Sequence, residues 1–129
     1  MKHSNRSLVA GIALALAAPF AAAAPDARAD AEIHHLVDFI AASGCQFIRN
    51  GDAHDSKAAA EHLLMKYGKA KSRLSTAEQF IDKVASRSYL SGNEYRVRCP
   101  GKPEIASGEW LGAELRAWRQ PAAAKTAAR

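Results

Sequence analysis

Apolar residues recur at helical spacing in four stretches of the chain and alternate in two short ones. Ile33, Leu36, Val37 and Ile40 stand at i, i+3, i+4 and i+7, one apolar face of an amphipathic helix. Asp30 is the expected cap and Gly44 the expected stop. Cys45 to Arg49 then reads as a short strand closed by the turn dipeptide Asn50-Gly51. A second helix, capped by Asp55 or Ser56, runs to about Leu74 and carries Leu63, Tyr67, Ala70 and Leu74 as its inward stripe. The third opens on a capping box, Ser75-Thr76-Ala77-Glu78, buries Ala77, Phe80, Ile81 and Val84, and frays at Ser86-Arg87-Ser88. Glu94 to Cys99 alternates, with Tyr95, Val97 and Cys99 inward and Glu94, Arg96 and Arg98 outward. Pro100-Gly101 ends that strand, and a last helix from Ser107 to about Arg119 turns Leu111, Leu115 and Trp118 inward. The order predicts an α+β domain, mainly helical: about four helices with a small two-stranded antiparallel sheet. Its expected limits are residues 30–119, after a linker at 24–29 and before a disordered, alanine-rich tail at 120–129.

The start of the chain belongs to a different pattern. Lys2 and Arg6 precede an unbroken apolar run from Leu8 to Ala18, then Pro19 and small residues from Ala21 to Ala24. Those are the three zones of a secretory signal peptide, with cleavage expected after Ala23 and Ala27-Arg28-Ala29 as a fallback. The run is too short for a membrane span, which needs about 20 apolar residues. No cysteine stands at the junction to carry a lipid. A periplasmic or secreted domain without stable membrane insertion is therefore expected. Removing residues 1–23 takes away Lys2 and Arg6 and lowers the formal charge from +5 to +3. So mild a charge, at an envelope address, argues against nucleic acid as a partner. A domain this small buries roughly 60–65% of its unfolded surface, enough for one core.

An exported address also decides how the two cysteines are read. Cys45 and Cys99 are 54 residues apart in sequence, and in an oxidising compartment two thiols of a small domain usually pair. Metal ligation is the alternative, but no C-x-x-C and no histidine spacing completes a site. His34-His35 diverge by about 100° on a helix, so they cannot chelate one metal. A disulfide, and no metal, is the expectation.

The segment Phe47-Ile48-Arg49-Asn50-Gly51-Asp52-Ala53-His54 resembles a known family. The likeness continues through Ala59, His62-Leu63 and Lys66, through Thr76 to Ser86, and through Ser91-Gly92 and Tyr95-Arg96-Val97. These blocks, in this order, resemble the YfeK-like family of small exported bacterial proteins, a domain of unknown function. The resemblance covers about residues 30–115. It implies a secreted or periplasmic protein and carries over no activity, cofactor or catalytic residue.

Two basic groups remain as candidate chemistry. His62, Lys66, Lys69 and Arg73 recur at i, i+4, i+7 and i+11, on a face bordering the buried stripe of the second helix. Such a face suits a phosphate, a carboxylate or a glycan acid; its plainer use is to cover apolar surface with long side chains while their charges stay in water. Arg49, at the turn with Asn50, and Arg87, Arg96 and Arg98 around the second strand form the other group. They would make a guanidinium cradle, unless Glu78 or Asp82 pairs with Arg49. The favoured reading is a non-enzymatic envelope module binding an anionic ligand or a protein through Arg49, Asn50, His62, Lys66, Lys69, Arg73, Arg87 and Arg98. No cofactor is implied. The alternative is a small hydrolase or transferase using His62 with a loop serine such as Ser88. A third reading, a lysozyme-inhibitor-like role, rests only on Ser91-Gly92-x-x-Tyr95. Trp110 and Trp118, eight residues and roughly 80° apart around the helix, are expected to place one ring in the core and leave the other room to be exposed, with packing favoured over stacking on sugars.

Overall fold

The structure is a computed structural model that describes residues 10–15 and 24–121. The expected signal peptide lies outside the described residues except for Ala10–Ala15, which have no regular structure, and so does the tail beyond Pro121. Helix α1 spans Ala27–Ala42 and is followed by strands β1 (Gln46–Arg49) and β2 (Asp52–His54). Helix α2 (Ser56–Ala70) passes into a 3-10 turn at Lys71–Arg73. Helix α3 (Ala77–Phe80) continues as a π-helical turn, Ile81–Ala85, before β3 (Arg96–Arg98), β4 (Ile105–Ala106) and α4 (Ser107–Arg119).

The sheet has four strands, not the two expected, in the order β2-β1-β3-β4 and antiparallel throughout. Gln46, Phe47 and Ile48 face Arg98, Val97 and Arg96, as two expected strands would. The extra strands escape an apolar-pattern reading for a physical reason. Asp52-Ala53-His54 has no alternation to detect, and its pairing is imposed by the turn before it. Asn50 (φ 50°) and Gly51 (φ 84°) both take the left-handed region, as a type I′ turn requires, and that twist returns the chain alongside β1. Ile105-Ala106 is two residues long and leads straight into α4.

Helix starts differ from expectation by a few residues. Asp26, not Asp30, caps α1 by accepting the Ala29 N–H at 2.8 Å, so the helix absorbs half of the expected linker. Asp30 instead sits in the first turn, where a carboxylate favours the helix dipole. It accepts the Tyr67 hydroxyl at 2.5 Å and pairs with Lys71. At α3 the capping residue is Thr76, which accepts the Gln79 N–H, while the Gln79 side chain reaches back to the Ser75 N–H. The capping box is thus displaced by one residue, freeing Glu78 for another role. Asp55 caps α2 as expected, and Gly44 (φ 66°) follows the end of α1.

Every buried apolar residue among those described falls between Ala29 and Leu115. Ile33, Leu36 and Ile40 of α1 are fully enclosed, as are Phe80 and Leu111, so α1 is the element the others pack around. Along the stretch expected to alternate, Tyr95 and Val97 are buried, while Arg98 and Glu94 are exposed. Trp118 is a correction. It is 47% exposed, and its ring stacks on His35 with centroids 3.7 Å apart. Trp110 does join the core rim, against Phe39 and Phe47. Helices α1, α3 and α4 are also tied by one cation. Arg119 of α4 holds the buried carboxylate of Glu32 through two hydrogen bonds and contacts Glu78 of α3. That guanidinium holds both carboxyls below the usual carboxylate range.

A disulfide joins Cys45 to Cys99, the pairing expected of the two cysteines. Closing a loop of this length removes roughly 4 kcal/mol of unfolded-state entropy, less any native strain. The Cys45→Ala/Cys99→Ala double variant is therefore expected to keep its helical circular dichroism yet unfold about 2–4 kcal/mol more easily in urea. A midpoint equal to that of the oxidised parent would show that the bond adds nothing.

Candidate functional site

Part of the basic stripe on α2 lines a concavity of about 750 Å³ between α2, the π-helical turn and the loop that follows it. Lys66, Lys69 and Arg73 stand on one wall, Asp82 and Lys83 on another, and Arg87, Ser88 and Tyr89 on the third. Five cations thus face one carboxylate. Among the described residues, Lys69, Arg73, Lys83 and Arg87 make no ion pair. Unneutralised like charges around a hollow repel one another, and an entering anion relieves that repulsion.

Lys66 differs from its neighbours because it is half-buried and committed. Its ammonium donates to the Val84 carbonyl at 2.7 Å and to the Tyr95 hydroxyl at 3.1 Å, and lies 4.9 Å from the Tyr95 ring centre. The wider winding of a π-helical turn disturbs the i to i+4 ladder. Two carbonyls there find side-chain donors: Val84 takes Lys66, and Ile81 takes the Ser86 hydroxyl at 2.6 Å. Lys66 therefore anchors its wall of the groove and clamps α2 to the turn and to the residue before β3.

The loop forming the third wall is held in place by the hairpin turn. Asn50 Oδ1 accepts from the Ser91 hydroxyl at 2.8 Å and from the Asn93 amide at 3.0 Å. Within the loop, Ser88 N–H donates to Asn93 and Gly92 N–H to Ser88. Asn50, singled out as a binding residue, is here the tie that shapes the groove wall. The signal for that role is absent from local sequence, since Asn50 and Ser91 meet only in the fold.

The other expected binding residues do not join this concavity. Arg49 shares its face of β1 with buried Phe47, whereas Arg98 pairs with Gln46 on the opposite face. The two guanidinium groups therefore cannot form one cradle. Arg98 and Arg96 both bind Glu104, and Arg96 also binds Glu94. Arg49 finds neither Glu78 nor Asp82. Its Nη2 donates to His54 Nδ1 at 3.4 Å, and its Nε is buried without a hydrogen-bond partner. Lys83 was missed by the sequence reading, although it faces the groove from the π-helical turn.

His62, one turn before Lys66 on α2, is half-buried and does not line the groove. Burial lowers its pKa first, and the nearby charges of Arg49, Lys66, His54 and Lys69 lower it further. Among the described residues it has no hydrogen bond to a serine. Ser86 donates to Ile81, Ser91 donates to Asn50, and Ser88 accepts from the Ser91 N–H. The His62–serine pair that a nucleophilic mechanism needs is not assembled. No cluster of three or more metal-binding side chains occurs among the described residues.

Comparison with known proteins gives the same limits to the chain. A family described as "Family of unknown function (DUF5329)" matches residues 27–119, within a residue of α1 at one end and α4 at the other. A protein of Salmonella typhimurium, "Uncharacterized protein YfeK", is 42% identical over 92 residues, covering 70% of this chain and 76% of its own length. The resemblance seen in the matched blocks is thereby confirmed. No solved structure matches.

The depressed pKa of His62 sets a sign for stability against pH. A histidine whose folded pKa lies below its unfolded value of 6.5 contributes stability that is full above pH 6.5 and is lost as pH falls through that window. Replacing it by His62→Gln is expected to flatten the loss of stability as pH falls below 6.5. Urea midpoints of parent and variant across that range give the comparison, and parallel curves would remove His62 from the account.

Proposed function

The chain belongs to a family of unknown function (DUF5329), and from that premise we propose that it is a non-enzymatic binding module of the bacterial envelope. Residues 1–23 export it, and the groove between α2, the π-helical turn and the 86–93 loop receives an anionic ligand or partner. The observation that carries this reading is the convergence of Lys66, Lys69, Arg73, Lys83 and Arg87 on one hollow with Asp82 as the opposing charge. Four of the five cations make no ion pair among the described residues, whereas Arg96, Arg98 and Arg119 are matched to carboxylates. A simple solvated face needs neither a concavity nor a wall tied down by Asn50. The disulfide supports the envelope address, because such bonds persist where the surroundings are oxidising.

Inorganic pyrophosphate is a suitable probe for the groove, using the domain from Ala24 onward, which contains the whole core. Amide shifts at Lys69, Arg73 and Arg87 are expected on titration at low salt. The Lys69→Glu/Arg73→Glu variant, altered only at exposed positions, should weaken them by about tenfold. Shifts spread evenly over the surface, or unchanged in the variant, would end this reading. The address is checked separately: the intact precursor, expressed in a bacterium, should yield an oxidised chain beginning near Ala24 in the periplasmic extract. Recovery of uncleaved, reduced protein in the cytosol would contradict it.

A further inference from the structure

The groove's cations leave one feature of its rim unexplained. Tyr89 and Leu90 stand at the tip of the loop 90% and 94% exposed. They are not the loose end of a mobile segment: the Ser88–Asn93 and Gly92–Ser88 backbone bonds and the two bonds to Asn50 fix the loop around them. A rigid turn that presents an aromatic and a leucine side chain to water, beside Lys69, Arg73, Lys83 and Arg87, meets two chemistries at once. A water-soluble anion would satisfy the cations and ignore the tip. A stable protein interface buries roughly 800 Å² per partner around a desolvated centre, and two tip residues are a small apolar share of that. An anionic lipid surface satisfies both. Its phosphates attract clustered cations, and its headgroup boundary accepts aromatic and leucine side chains.

We infer that the loop tip and the basic groove together dock the domain peripherally on anionic phospholipid. This inference rests on the groove's preference for anions argued above. Tyr89 and Leu90 enter the boundary between headgroups and acyl chains, while Lys69, Arg73, Lys83 and Arg87 meet lipid phosphates. Among the described residues no helix is long and apolar enough to cross a membrane, so the contact is one of surface and tip. Because Asn50 shapes the loop beforehand, little ordering has to accompany docking.

The test is co-sedimentation of the domain from Ala24 onward, free of the apolar run at 8–18, with vesicles of two compositions. Binding is expected to phosphatidylcholine mixed with phosphatidylglycerol and not to phosphatidylcholine alone. The Leu90→Ser variant, altered at the tip and not in the groove lining, should lose several-fold in vesicle affinity while its pyrophosphate titration stays as in the parent. Lys69→Glu/Arg73→Glu should lose both. A domain that ignores the mixed vesicles, or a tip variant that binds them as well as the parent does, overturns the lipid inference. If pyrophosphate still titrates the groove in that case, the anion-binding reading survives it; if it does not, both fall. Capture of poly-glutamate by a domain that ignores vesicles would assign the site to an acidic polypeptide instead.

Discussion

The bond between Cys45 and Cys99 makes one closed loop of everything from β1 to the end of β3. The walls of the groove lie inside that loop, and the Asn50 tie to Ser91 and Asn93 bridges it again. Because β1 and β3 are also neighbours in the sheet, the covalent closure and the backbone pairing fix the same two segments. The position of the groove walls thus depends on a junction that neither wall contains. Constraint of this kind matters in a chain of this size, whose single core leaves little stability in reserve.

The two helices outside the loop, α1 and α4, are held by different chemistry. Glu32 is almost fully buried, and a buried carboxylate is tolerable only when paired. Arg119 supplies the pairing from α4 and extends to Glu78 of α3. Tyr67 and Asp30 form a second link between α2 and α1, neutral donor to charged acceptor. These links leave Arg119, Arg96 and Arg98 committed to carboxylates, whereas Lys69, Arg73, Lys83 and Arg87 around the groove make no ion pair among the described residues. Convergence of five cations on one hollow, more than net charge, is what makes the groove distinctive.

Much of the site's composition was legible in the chain. Lys66, Lys69 and Arg73 share a helix face by spacing alone, and their placement on one wall follows from 3.6 residues per turn. What spacing could not give was the identity of the opposite wall. Arg87 and Lys83 arrive through a π-helical turn, which shifts side-chain direction relative to an α-helix. Arg49 and Arg98 were grouped together because both flank strands; the β1–β3 register puts them on opposite faces. His62 borders the buried stripe as its spacing predicts, but its neighbours Arg49 and His54 come from the hairpin.

By itself the sequence determined the helices with strong apolar periodicity, the inward face of Glu94 to Cys99, the Asn50-Gly51 turn and the family resemblance. Each is a local property, set by residue spacing or by the backbone freedom of single residues. Tertiary structure decided the four-stranded sheet, since Asp52–His54 and Ile105–Ala106 are strands only through the partners they meet. It also decided which cations are neutralised, because Glu104, Glu94 and Glu32 choose their arginines across the fold. The groove exists for the same reason: a hollow is defined by the distance between elements, and no single segment of the chain encodes that distance.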